Sequence, residues 1–434
     1  MIGSISRVFA VSALGLGILW VGSPASANQD SGDIVRTWNA VAQSTVRVKN
    51  ASDAQAARAY AMINVAIYDA VNGIASKTGF IDRKHALVPP SGAPVNGHPV
   101  AAAAAAAHAV LTGLFPDQAT VYNTQLTADL APLSPPSSVL AGQAWGASVG
   151  NQVVVARAAD GSSPDESQPA GSGPGKFRAS WSGVQFRNLA PFAIANSGVY
   201  LGSGPPALTS VDYAAEFAEV AVIGNAAIVD AAKRATYDYW ALGNGTGQPA
   251  GWWLQATREV SISKNLSIER TARLFALVSM GLADSVAPTY MTKFTYQFWR
   301  PTTAIREADS DGNDNTIQNA TWAARAGTVG GSPEYWSGHS SFSAVAATIL
   351  AGFFCDDAIS VTLASDSKPS DVRTFASFSA AAAEAGRSRV LGGIHFEQDG
   401  NQDGLKAGRA IGAEVLKNAL LLKLPITHFG ACPL

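Results

Sequence analysis

Pro333-Glu-Tyr-Trp-Ser337-Gly338-His339-Ser-Ser-Phe-Ser-Ala-Val-Ala-Ala-Thr-Ile-Leu350 begins as a loop and ends as an apolar helix. Ser337 suits the N-cap, because its hydroxyl can accept an amide hydrogen from the first turn, and the small and aliphatic residues that follow favour a buried helix. The start of such a helix offers free N–H groups and partial positive charge, so it is a ready place for an anion, with His339 in its first turn. Taken alone, the stretch reads first as a plain cap beside an incidental histidine.

The same 3.6-residue period dominates on either side, whereas runs of Val, Ile and Thr bounded by turns are scarce. An all-α fold, a large helical bundle, is expected. Helices are predicted near 33–46, 54–73, 100–114, 117–130, 137–159, 210–225, 228–241, 266–299, 339–354, 370–388 and 403–420. The alanine run 101–107 reads as a helix surface that lets a neighbour come close. Residues 161–206, dense in Ser, Gly and Pro, read as a long connection between a helical region 28–160 and a second one 207–434, the two together making one domain. At that length the connection is either a functional cover over a pocket mouth or a disordered spacer. The polar loop 309–315 reads as an Asx-rich turn, because its glycine is misplaced and its closing glutamate missing for a calcium loop.

The chain has 434 residues, 47% of them hydrophobic and 14% charged, enough to bury a large core. A formal net charge of -2 provides no basic field for nucleic acid or an anionic membrane surface. Residues 1–27 combine Arg7, an apolar run Val8 to Val21 and a small-residue ending at Ala27, the pattern of a signal peptide cleaved near Ala27. A secreted or periplasmic protein with no membrane span in its mature chain is expected. In such a compartment Cys355 and Cys432 can pair as a disulfide, or Cys355 can remain a buried thiol.

Three segments carry the chemistry. In Lys293-Phe-Thr-Tyr-Gln-Phe-Trp-Arg300-Pro301 the two cations are seven apart, so on one helix they share a face two turns apart, while Pro301 is expected to end the helix and present Arg300 at a rim. Aromatic neighbours argue that part of the segment is buried, where a cation needs a partner. Ser337-Gly338-His339 supplies the helix start. In Gly386-Arg-Ser-Arg389-Val-Leu-Gly392-Gly393-Ile-His395-Phe-Glu-Gln-Asp399 an uninterrupted helix would point Arg389 and His395 about 120° apart. The paired glycines argue for a break that lets the two converge, with Asp399 placed to accept the other imidazole N–H. Lysine, two arginines, a helix start and two histidines suit a multiply charged oxyanion better than zinc, for which no ligand spacing exists.

These spaced elements, Lys-x6-Arg-Pro, Ser-Gly-His and Ser-Arg-x5-His-x3-Asp, resemble the vanadium-dependent haloperoxidases and the related type 2 phosphatidic acid phosphatase superfamily of acid phosphatases. Residues 272–284 and 301–306 resemble the bacterial haloperoxidase-like branch, and Trp38 and 57–70 extend the likeness more weakly. The resemblance implies an all-helical bundle in which Lys293, Arg300, Arg389, Ser337 and the Gly338 amide bind vanadate or phosphate. It further implies His395 as the ligand to vanadium, or the nucleophile of a phosphatase, His339 as acid–base group, and Asp399 as the residue orienting His395. The activity implied is oxidation of halide by hydrogen peroxide. The alternatives are hydrolysis of a phosphate monoester through a phosphohistidine, or oxyanion binding without turnover. Halide preference, organic substrate and oligomeric state are not implied. Three positions depart from the family pattern. Trp336 replaces a proline, Trp240-Ala-Leu-Gly-Asn-Gly245 lacks the aspartate that pairs with the second arginine, and Ser332 stands where bromoperoxidases have histidine and fungal chloroperoxidases phenylalanine.

Overall fold

A computed structural model describes residues 32–77 and 84–421, the side chain of Asp399 excepted. The export segment 1–27 and Cys432 lie outside the described residues. Cys355 is disulfide-bonded, so the buried-thiol alternative does not hold for it.

The described residues are mostly helical. The first region contains α1 (Asp33–Val48), α2 (Asp53–Lys77), α3 (Pro99–Leu114), α4 (Ala119–Leu130) and α5 (Pro136–Ala156). After the connection come α6 (Val211–Ile223), α7 (Ala231–Tyr239), α8 (Gln248–Ser263), α9 (Ile268–Asp284), α10 (Val286–Tyr296) and α11 (Pro301–Arg306). The chain closes with α12 (Gly338–Phe354), α13 (Phe378–Leu391) and α14 (Asp403–Asn418). One hydrophobic cluster runs through both regions, from Val35 and Trp38 through Phe275 and Leu277 to Ile411 and Val415. The apolar α9 and α10 are long enough together to cross a membrane, but they are buried in this core.

Close approach of backbones sets the packing. Along α5, a Cβ on Gly142, Gly146 or Gly150 would sit 2.4, 2.1 or 2.5 Å from the carbonyl oxygens of His98, Ala102 and Ala106. Three glycines four apart therefore form a groove in which the alanine-rich α3 lies, and Ala101–Ala107 are buried as expected. α14 repeats the device. Cβ atoms on Gly404, Gly408 and Gly412 would come 3.0, 2.3 and 2.9 Å from the carbonyls of Ser337, Ser341 and Val345 on α12.

Several expectations are corrected. Helix α8 is absent from the helices expected from the sequence. Proline is tolerated in a first turn, and Trp252 and Trp253 then bury into the core. The helix expected from 370 begins only at Phe378. Before it lies an antiparallel hairpin of β3 (Val361–Ser365) and β4 (Lys368–Phe375), in which Val361, Leu363 and Ser365 alternate inward. The helix expected over 266–299 is broken at Ser285 and ends at Tyr296, where Gln297 takes φ 49°.

The 161–206 connection is ordered. It carries the short antiparallel pair β1 (Ser167–Gln168) and β2 (Trp181–Ser182), and its later part is pinned to α9. There the buried Asp284 carboxylate accepts the N–H groups of Phe192, Ala193 and Ile194 at 2.6, 2.8 and 2.9 Å. In the 309–315 loop Asp311 accepts from Asn313 N–H and the Thr316 hydroxyl, an Asx turn.

Gly146→Leu is expected to destabilise the protein by about 3 kcal/mol in urea unfolding, since its side chain has to displace the α3 backbone. The same change at exposed Val155 should leave the midpoint unaltered.

Candidate oxyanion site

Lys293 lies in the last turn of α10 and is buried. Its ammonium donates to the carbonyls of Pro333 and Glu334. Arg300 is on no shared helix face with it, contrary to the seven-residue expectation, because the left-handed Gln297 ends α10 first. Pro301 keeps Arg300 extended, at φ -84° and ψ 157°, as the N-cap of α11. The guanidinium is buried rather than at a rim. Nε donates to Ser332 O at 2.8 Å and Nη1 to Ile394 O at 2.6 Å.

Ser337 caps α12, accepting the Ser340 N–H on its hydroxyl oxygen at 3.3 Å while its own proton remains available to a ligand. The first-turn amides of Gly338 and His339 have no intrahelical acceptor. His339 is half-buried, with Nε2 3.2 Å from Ala241 O.

The glycine break works as the spacing suggested. α13 stops at Leu391, Gly393 takes φ +74°, and the chain turns so that His395 faces Arg300. Only glycine fits at 393, since a Cβ would lie 2.5 Å from Gly224 O. Arg389, in the last turn of α13, donates from Nη1 to Trp240 O at 3.1 Å, and its guanidinium carbon lies 5.1 Å from the Tyr237 ring centroid. Its Nε is buried without a hydrogen-bond partner. The aspartate missing from 240–245 is thus replaced by a main-chain carbonyl and an aromatic face.

The decisive residue missed from the sequence is Glu334. It was quoted beside Ser-Gly-His but given no role. Its Oε1 is 2.8 Å from His395 Nδ1 and accepts the Phe396 N–H at 3.0 Å. Glu334 thus stands beside the imidazole in the orienting role expected of Asp399, whose side chain lies outside the described residues. A cradle closes around the pair: a Cβ on Gly400 would fall 2.0 Å from Glu334 Oε1 and 3.0 Å from His395. The available signal is a lone carboxylate in an otherwise uncharged loop, three residues before Ser337.

These contacts fix the imidazole tautomer. Arg300 Nη1, only ever a donor, lies 2.9 Å from His395 Nε2. Nε2 must therefore be an acceptor, and the proton sits on Nδ1, donated to Glu334. A lone pair on Nε2 is the form needed for a metal ligand or a nucleophile, and the carboxylate behind the ring raises its basicity.

Burial, more than any neighbour, holds the His395 and His339 pKa values well below the ordinary imidazole range, and nearby guanidinium groups add to it. Burial also lowers Lys293 well below its usual value, Arg300 to about 10, and Arg389 in the same direction. Glu334 is pushed up to about 7 by burial, against the pull of Arg300 and Lys293. Three cations face one carboxylate, a formal excess of two positive charges in a buried place. Such an excess is costly unless a dianion neutralises it.

Residues 273–422, which include Lys293, Arg300, Glu334, Ser337, His339, Arg389 and His395, match the family model described as the VCPO second helical-bundle domain. In fold the chain is similar to a structure described as the first bacterial vanadium-dependent iodoperoxidase, with TM-score 0.77 and 20% identity over 90% of this chain and 97% of that one. It is also similar to a bacterial vanadium-dependent chloroperoxidase. The apo form gives TM-score 0.62 and 14% identity over 83% of this chain and 92% of that one. The holo form gives the same score and identity over 85% and 92%. No curated protein matches the sequence.

Glu334 binds its proton more tightly in the folded chain, about 7 against 4.5 for a free side chain, so its contribution to stability is complete below pH 4.5 and lost as pH rises through 7. Urea midpoints measured from pH 4.5 to 7.5 should fall more steeply with rising pH in the wild type than in Glu334→Gln.

Proposed function

We propose, for a chain that belongs to the vanadium haloperoxidase superfamily by its 273–422 domain and its fold, that it is an exported haloperoxidase. It would hold vanadate at His395 and oxidise halide with hydrogen peroxide. The observation that carries this reading is the tautomer: His395 keeps Nε2 unprotonated, accepting from Arg300 until a ligand takes the place of that N–H, and backed by Glu334, inside a cluster rich in positive charge. The chemistry of the donor set fits a tetrahedral dianion. A nitrogen donor is offered on one side, and Lys293, Arg300, Arg389, the Ser337 hydroxyl and the Gly338 amide can donate to oxygens. Arg389 Nε has no hydrogen-bond partner among the described residues. When bound, vanadate supplies the Lewis acidity that activates peroxide toward halide.

The protein's own part is positional and electrostatic. Lys293 and Arg300 are held by main-chain carbonyls, so their charge is fixed in place before any ligand arrives. His339, kept neutral by its surroundings and by the nearby Arg389 guanidinium, would accept a proton from an approaching peroxide on Nδ1, since its Nε2 faces the Ala241 carbonyl. Glu334 keeps the His395 ring from rotating and keeps its proton on Nδ1. Buried walls around the cluster strengthen each of these charge interactions.

Purified protein incubated with vanadate, peroxide and iodide or bromide should halogenate an organic trap, and His395→Ala should lower the rate on the order of a thousandfold. Arg389→Ala should weaken phosphate binding about 10- to 100-fold, as loss of a charge-assisted contact predicts. Hydrolysis of an aryl phosphate that vanadate only inhibits, with no halogenation, would overturn the haloperoxidase reading in favour of a phosphatase.

A further inference from the structure

We infer that Asp53 is a charge-selecting residue at the solvent-facing edge of the oxyanion site, held there by the 161–206 connection. It disfavours negative charge on a molecule approaching the bound anion, so that neutral or cationic organic molecules are admitted. The inference rests on the haloperoxidase reading only in treating that molecule as the acceptor of oxidised halide.

The groups of the site differ in exposure. Lys293, Arg300, Ser337, Arg389 and His395 are buried, whereas Gly338 and His339 keep partial exposure. Asp53, the first residue of α2, is also partly exposed and stands at this edge. A Cβ on Gly338 would lie 3.7 Å from its Oδ2, so the carboxylate faces the glycine whose amide is offered to the anion. The Asp53 charge is also felt at Lys293, whose pKa it raises.

A carboxylate at a helix start has an ordinary structural explanation, because it complements the helix dipole, and Asp53 Oδ1 does accept the Ala54 N–H. That explanation accounts for neither the second anchor nor what lies behind it. Tyr290, from α10, donates its hydroxyl to Asp53 Oδ1 at 2.9 Å. Its ring packs on Trp181 and Phe186 with centroids 6.1 and 5.9 Å apart. Both aromatic residues belong to the 161–206 connection, which also reaches the site-bearing segment where Phe177 N–H donates to Gln297 O at 2.8 Å and Trp299 N–H to Gly175 O at 3.0 Å. Burial and the neighbouring Asp53 hold the Tyr290 hydroxyl well above its usual pKa, so it stays a donor. The connection thus braces a tyrosine that fixes a negative charge beside an anion site.

An anion-binding edge with a fixed carboxylate tolerates one anion, bound by three cations, and repels a second. A phenol or an amine would meet no such repulsion, whereas an aryl carboxylate would.

Inorganic phosphate binding should be measured by titration calorimetry at low ionic strength on the full chain and on Asp53→Asn and Asp53→Ser, two variants that keep a helix-starting side chain. Both should bind phosphate about tenfold more tightly, with the gain shrinking as salt is added. In halogenation, both should lose the wild-type preference, read as KM, for a neutral phenol over its carboxylate-bearing analogue. A folded variant whose phosphate affinity stays within twofold of wild type overturns the inference, as does tighter binding with the phenol preference unchanged. A wild type that halogenates nothing refutes the haloperoxidase reading, while the phosphate comparison still decides where the Asp53 charge acts.

Discussion

Burying three cations around a single carboxylate is the constraint on which the rest of this molecule depends. Water solvates such charges at no structural cost, but a protein interior must supply a partner for each one. Here the partners are mostly main-chain carbonyls: those of Pro333 and Glu334 for Lys293, Ser332 and Ile394 for Arg300, and Trp240 for Arg389. Each carbonyl belongs to a segment between helices. The loops before α12 and after α13, and the turn after α7, are therefore bound into one structure by the charges they surround. Glu334 joins two of these loops, since it lies in the first and holds His395 and the Phe396 amide in the second.

Precision of this kind requires a rigid frame, and the glycine ladder of α14 supplies it. With Gly404, Gly408 and Gly412 against the α12 backbone, the two helices cannot slide without steric conflict. The ladder starts at the Ser337 carbonyl, so the start of α12 is clamped where the anion groups emerge. Ser337 N–H also donates to Gly400 O at 2.7 Å, which ties the cap to the turn that cradles Glu334 and His395. The N-terminal half contributes the same glycine device in α5 against α3, at a distance from the chemistry.

Legibility in the sequence followed the kind of contact involved. Features carried by side-chain identity and short spacing could be read: the Ser337 cap, the break at Gly392-Gly393 that brings Arg389 and His395 together, and the extended Arg300 before Pro301. Features carried by tertiary context could not. Glu334 carries only a weak local sign, its isolation as a carboxylate in its loop, because its role comes from a histidine 61 residues away. The helix expected from 370 overlapped β4, whose residues 370–375 belong to a hairpin defined by pairing with Val361–Ser365 rather than by any local period. Pro249 sits in the first turn of α8, where proline costs no hydrogen bond, so a helix starts at a residue type that elsewhere interrupts one.

The turn after α7 has a consequence for how such proteins diverge. Two successive carbonyls, of Trp240 and Ala241, serve Arg389 and His339, so the support is delivered by the peptide backbone rather than by a chosen side chain. Substitution can change the residues of this turn freely as long as its path is preserved. A lineage can in this way lose an acidic residue that once held an arginine and keep the arginine in place. Motifs that count the acidic residue would then discard working relatives, and the shape of the turn is the more durable record of descent.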